Sequence, residues 1–175
     1  MVREPEVLVR LRRLEAELGV ERSALQGRWQ ETRELVARWD AEGRLGRPEL
    51  VLIAVNLHGW YTAFETALER VARLLDQSAP GGSSWHVDLI DQMRVDVPGL
   101  RPALVSEPTL GPLHELRKFR HFFRNAYVLD LDPVLVRARV RDLELVAPSA
   151  AANLDRLERE LAQAMAELLG PSSAG

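Results

Sequence analysis

Apolar residues recur along most of this chain at intervals of three, four and seven, the spacing of helices that bury one face. Leu8, Leu11, Leu14, Leu18, Leu25, Trp29, Val36 and Trp39 form the first such stripe, and Pro5 suits its first turn. Gly19 and Gly27 weaken this helix without breaking the pattern; Gly43 and Gly46 end it. Pro48 opens a second helix, predicted to run to about Gln77, with a wider stripe: Leu50, Ile53, Leu57, Trp60, Tyr61, Phe64, Leu68, Val71 and Leu75. A stripe that broad predicts burial on more than one side. Residues 78–84 (SAPGGSS) read as a loop. A short helix over 85–94 follows, with Ser84 as its N-cap, and then an irregular stretch to Val105 that contains Pro98, Gly99 and Pro102.

Ser106-Glu107-Pro108 predicts the start of a fourth helix, which extends to Leu131 and carries Leu110, Leu113, Leu116, Phe119, Phe123 and Ala126 at helical spacing. Asp132-Pro133 stops it and starts a fifth, with Asp132 as cap and Pro133 at the first helical position. Pro148-Ser149 repeats the device and predicts a sixth, carrying Leu154, Leu157, Leu161, Met165 and Leu168. Residues 134–140 alternate apolar residues with arginine as a strand would, but nothing else in the chain offers a partner strand. The expected fold is all-α, an up-and-down bundle of about six helices.

Composition narrows the chemistry. The absence of cysteine excludes disulfides, thiol catalysis, iron–sulfur clusters and Cys-ligated zinc, and a cytoplasmic location is expected. The first residues lack the apolar core of a secretory signal, and no apolar run approaches the roughly 20 residues of a bilayer span. The net charge is −3, which gives no hint of a nucleic-acid partner. Divided along the chain, that number changes meaning: residues 112–141 carry +4 and the remainder −7. Lys118 is the single lysine beside 22 arginines, a bias that fits GC-rich codon usage.

The basic segment sorts cleanly on a helix of 100° per residue. Leu116, Phe119, Phe123 and Ala126 share one face, and Arg117, Lys118, His121, Arg124 and Asn125 the opposite one, with Arg120 and Tyr127 at a common edge. The i,i+4 pairs Arg120/Arg124, Arg117/His121 and His121/Asn125 can converge on one spot. Such a face is either a solvated polar surface or an anion site, for which a phosphodiester is the obvious ligand. His58 reads as a helix-face or core histidine, and His86 has no partner nearby in sequence. His114 is a further candidate for the basic face, but with His121 it makes a poor metal site. Glu65 lies inside an apolar stripe and needs a partner if buried; Arg70 or Arg73 on a neighbouring turn is the expected one. Arg137, Arg139 and Arg141 extend the basic surface or are simply solvated.

Arg120-x4-Asn125-x-Tyr127 resembles the Arg-x4-His-x-Tyr signature of HEPN domains, in particular the HepT-like ribonuclease toxins. Residues 57–68, with His58-Gly59-Trp60-Tyr61, Phe64 and Glu65, resemble the family's aromatic-and-Glu second helix, and residues 80–86 (PGGSSWH) its following loop. The resemblance covers about residues 50–170. It implies a HEPN-like domain over 47–170, preceded by a helical extension over 1–46 and followed by a disordered tail over 171–175. It further implies a homodimer with a basic cleft and a cofactor-free, metal-independent endoribonuclease. In that scheme Arg120, His121 and Asn125 stand at the catalytic positions, with Arg117, Lys118 and Arg124 binding RNA phosphate. A nucleotidyltransferase antitoxin is the implied partner, with Tyr127 matching the tyrosine it modifies with AMP. Asn125 departs from the signature, since an amide exchanges no proton near neutral pH. Three outcomes stay open: His121 supplies the imidazole, Arg120 alone supports weak cleavage, or the chain binds RNA, nucleotide or the partner enzyme without cutting.

Overall fold

The computed structural model describes residues 6–125 and 131–170. Within them the chain forms five α-helices: α1 (Glu6–Glu42), α2 (Arg47–Val71), α3 (Trp85–Met93), α4 (Leu110–Asn125) and α5 (Pro133–Leu169). The all-α expectation holds, with one helix fewer than the sequence predicts. Gly43 closes α1 in the left-handed conformation (φ 70°), its amide donating to the Trp39 carbonyl, and the chain returns as α2. α2 is the centre of the bundle and packs against α1, α3, α4 and α5. Its stripe of Ile53, Leu57, Trp60, Tyr61, Phe64, Leu68 and Val71 is at most 2% exposed, as the width of the pattern requires.

The missing helix boundary lies at Pro148, where α5 continues without a break. Proline there removes the hydrogen bond to the Glu144 carbonyl, but both residues are on the exposed side, so water can satisfy that oxygen. The opposite face is continuous: Val140, Leu143, Val146, Ala147, Ala150, Leu154 and Leu157 are all buried. Each buried leucine contributes about 1.5–3 kcal/mol, so the stripe as a whole outweighs a proline penalty of about 3 kcal/mol. Pro148→Ala is therefore expected to stabilise the protein by about 1–3 kcal/mol in urea unfolding. A midpoint that stays put or falls would show that the helix does not bear that penalty.

Other local expectations fare unevenly. The Asp132 side chain accepts a hydrogen bond from the Val134 amide at 2.8 Å, capping α5 as predicted. Ser84 precedes α3 but makes no capping bond; its hydroxyl donates to Asp88 instead, at 2.7 Å. Ser106 leads first into a single 3-10 turn, Glu107–Thr109, and its hydroxyl meets those of Thr109 and Ser149. Leu131, near the expected end of the fourth helix, is buried and non-helical, and residues 126–130 before it lie outside the described residues.

The end of α2 passes through a π-helical turn, Ala72–Asp76, to Gln77 in the left-handed conformation (φ 52°). This turn aims Asp76 at Arg101 in the irregular segment beyond α3. Arg101 donates Nε and Nη2 to the two carboxylate oxygens at 2.6 and 2.7 Å, and donates also to the carbonyls of Val95 (2.8 Å) and Gln92 (3.1 Å). A buried guanidinium thus fixes the loop from one side, while Leu104 and Val105 at its end are buried in the core.

Candidate functional site

The site grows from one face of α2. His58, Tyr61, Thr62 and Glu65 follow at helical spacing and face the groove toward α4. The Thr62 hydroxyl donates to the His58 carbonyl at 2.9 Å and accepts from Arg120 Nε at 3.3 Å. Arg120 Nη2 stands 3.1 Å from Glu65 Oε2, and its guanidinium lies 5.8 Å from the centre of the Tyr61 ring. The arginine of the signature is therefore turned inward onto α2, with 15% of its side chain exposed. Its place at the edge between the apolar and polar faces of α4 makes that reach possible.

Glu65 is almost wholly buried and has a partner on each oxygen. Oε2 pairs with Arg120, Oε1 meets His86 Nδ1 at 2.5 Å, and the Tyr61 phenol lies near enough to feel the carboxylate's charge. Burial and the neighbouring Glu65 charge push the Tyr61 phenol far above its ordinary pKa, which keeps it neutral. The expected partners are engaged elsewhere: Arg70 pairs with Glu17 (2.6 Å) and Glu21 (3.2 Å), and Arg73 with Glu69 (2.6 Å). Arg70 lies five residues from Glu65, about 140° around the helix, so it points away from the groove. His86, left without a role by sequence reasoning, is the residue α3 contributes.

One turn earlier on α2, His58 is half-buried, with its ring centre 5.3 Å from that of Phe123. Arg28 of α1 packs its guanidinium onto Gly59, where a Cβ would overlap it. Burial, then Arg120, Arg28 and Arg124, hold the His58 pKa below its ordinary value. That imidazole is thus surrounded by cations, a setting that favours an anionic ligand.

The remaining predicted residues are spread over α4. Lys118, His121 and Arg124 are exposed on its outer face, and Arg117 is half-buried. Arg117 Nε is buried with no hydrogen-bond partner among the described residues. Lys118 pairs with Glu115 at 2.6 Å. His114 is half-buried, its pKa held down by burial and by Arg117. Arg139 pairs with Glu115 and Asp142, and Arg137 pairs with Asp40 while lying 5.1 Å over Trp39, so these two are engaged in ion pairs. The side chain of Asn125, and Ala126, Tyr127 and the 171–175 tail, lie outside the described residues. Among the described residues no group of three or more His, Asp or Glu gathers to hold a metal ion.

The bundle is all-α, and its second helix holds Arg120 of α4 through Thr62 and Glu65. The chain belongs to the HepT-like protein family, whose sequence model matches residues 52–161. The match contains Glu65, His86 and Arg120 and thus all three elements of the groove. Neither a curated protein nor a solved structure matches the chain. No described helix is long and apolar enough to cross a membrane.

Proposed function

We propose that this protein is a HepT-like toxin, a metal-independent endoribonuclease that works as a cytoplasmic homodimer. The observation that carries this reading is the placement of Arg120: its guanidinium is held by Thr62 and Glu65 beside His58, Arg28 and Arg124. A fixed fork with further cations around it suits a phosphodiester. In this reading Arg120 binds the scissile phosphate and stabilises charge on its oxygens. Arg117, Lys118 and Arg124 bind flanking phosphates. His121 stands on the solvent side as a proton donor to the leaving oxygen, and Asn125 donates hydrogen bonds without exchanging a proton. Exposure of Lys118, His121 and Arg124 on the outer face of α4, with Phe122 exposed at its edge, supports a second copy covering that helix. The helix before the matched region is read as an extension of the domain. A nucleotidyltransferase partner would add AMP to Tyr127 and so put a competing phosphate beside Arg120.

Asn125 at the signature's histidine position favours a second reading, a HEPN-type dimer that binds RNA, nucleotide or the partner enzyme without cleaving. The two separate in one assay: purified protein, end-labelled single-stranded RNA and excess EDTA. Cleavage that falls on His121→Ala substitution supports the nuclease. RNA that is bound but left intact by the wild type would replace the first reading with the second.

A further inference from the structure

In the nuclease reading His121 serves the leaving oxygen and Asn125 exchanges no proton, so the attacking ribose hydroxyl still needs a base. We propose that His86 is this general base, with Nδ1 held by Glu65 and Nε2 presented to the substrate. The assignment rests on the ribonuclease reading of the site and names a residue of α3 outside the signature helix.

Four histidines are available, and their surroundings separate them. His58 stands among Arg28, Arg120 and Arg124, cations that oppose the imidazolium a base must become. His114 lies beside Arg117, which acts in the same direction. His121 is on the exposed outer face of α4. His86 has a carboxylate at hydrogen-bond distance: Glu65 Oε1 lies 2.5 Å from Nδ1. A buried carboxylate on one ring nitrogen fixes the tautomer and orientation and stabilises the imidazolium once it forms. With Nδ1 so engaged, Nε2 is the nitrogen left for a ligand, and 26% of the side chain is open to solvent.

The second observation is that one residue sets both groups. Glu65 Oε1 holds His86 and Oε2 holds Arg120, so the base and the phosphate fork are located from opposite oxygens of one carboxylate on a rigid helix. In the step itself His86 Nε2 takes the 2′-hydroxyl proton and the 2′-oxygen bonds to phosphorus. The bond from phosphorus to the 5′-oxygen breaks, and that oxygen takes a proton from His121 or water. The products are a 2′,3′-cyclic phosphate and a 5′-hydroxyl, with no redox change and no metal in the balance.

The test compares wild type, His86→Ala and His86→Asn on end-labelled RNA in EDTA, together with binding of a fully 2′-O-methylated oligonucleotide that cannot be cut. Asparagine can still donate a hydrogen bond to Glu65 and so keeps Arg120 in place. Both variants are expected to lose at least about 100-fold in cleavage while binding the methylated oligonucleotide within about threefold of wild type. Added imidazole is expected to restore part of the rate to His86→Ala but none to His86→Ala/Arg120→Ala. Cleavage by His86→Asn at the wild-type rate would overturn the assignment while leaving the nuclease reading intact. Loss of oligonucleotide binding in step with cleavage in both variants would also overturn it, since His86 would then act only by placing Arg120. A wild type that leaves RNA whole would remove the nuclease reading and this assignment together.

Discussion

Arg120→Lys is expected to lose almost as much RNA cleavage as Arg120→Ala, on the order of a thousandfold for each. The reason lies in how the native side chain is held. Nε is donated to Thr62 and Nη2 meets Glu65, so the guanidinium plane is fixed before substrate arrives. The remaining N–H groups of the fork are then set to meet two oxygens of a phosphate at once. Lysine keeps the charge but offers a single ammonium, which would settle against the Glu65 carboxylate and leave the Thr62 hydroxyl without the donor it accepts from. Folding should survive either substitution, because His86 still holds the buried carboxylate. Initial rates with labelled RNA in EDTA, with circular dichroism as the check on folding, give the comparison. Lysine retaining a tenth or more of the wild-type rate would mean that positive charge alone suffices and that the fork geometry is incidental.

How far this arrangement could be read from the chain depends on where each residue's partner lies. On α4 the 100° sorting was enough: Leu116 and Phe119 are buried, Lys118, His121 and Arg124 are exposed, and Arg120 at the edge is partly covered. Asp132 was equally legible, since a cap is decided within three residues. Pro148 was misread for a related reason. The local rule for proline is sound, but a stripe from Val140 to Leu157 decides the matter, and the unpartnered carbonyl faces water. Glu65 marks the limit of local reasoning. Its burial in the stripe showed that it needed a partner, but the partners lie 21 and 55 residues away, on helices whose approach no periodicity encodes. The same holds for Arg28 over Gly59, which depends on how α1 packs along α2. Arg101 gave no signal at all. It sits in a stretch notable only for proline and glycine, and its role arises where the chain passes the end of α2.

That last residue carries the largest stability prediction. Asp76→Ala is expected to destabilise the protein by about 3–5 kcal/mol at neutral pH, because it leaves the Arg101 guanidinium, 1% exposed, with carbonyl acceptors but no counter-charge. Gln92, which donates to Asp76 at 2.5 Å and to the Ser78 carbonyl at 2.9 Å, loses one of its two anchors as well. Asp76→Ala/Arg101→Met should recover much of the loss, since removing both charges also removes the stranded one. The effect has a defined pH dependence. Burial alone would raise the Asp76 pKa, but hydrogen bonds from Arg101 and Gln92 outweigh it and hold the group below its ordinary 3.8. A carboxylate lowered by folding stabilises fully above its unfolded value, and the contribution disappears as pH falls through the lower native one. Urea unfolding of wild type and Asp76→Ala should therefore differ most at pH 6–7 and converge under strong acid, with the gap beginning to close near the unfolded pKa. A gap that keeps its full size in strong acid would show that Asp76 acts by filling space. A gap near zero at neutral pH would show that Arg101 is held well enough by the Val95 and Gln92 carbonyls alone.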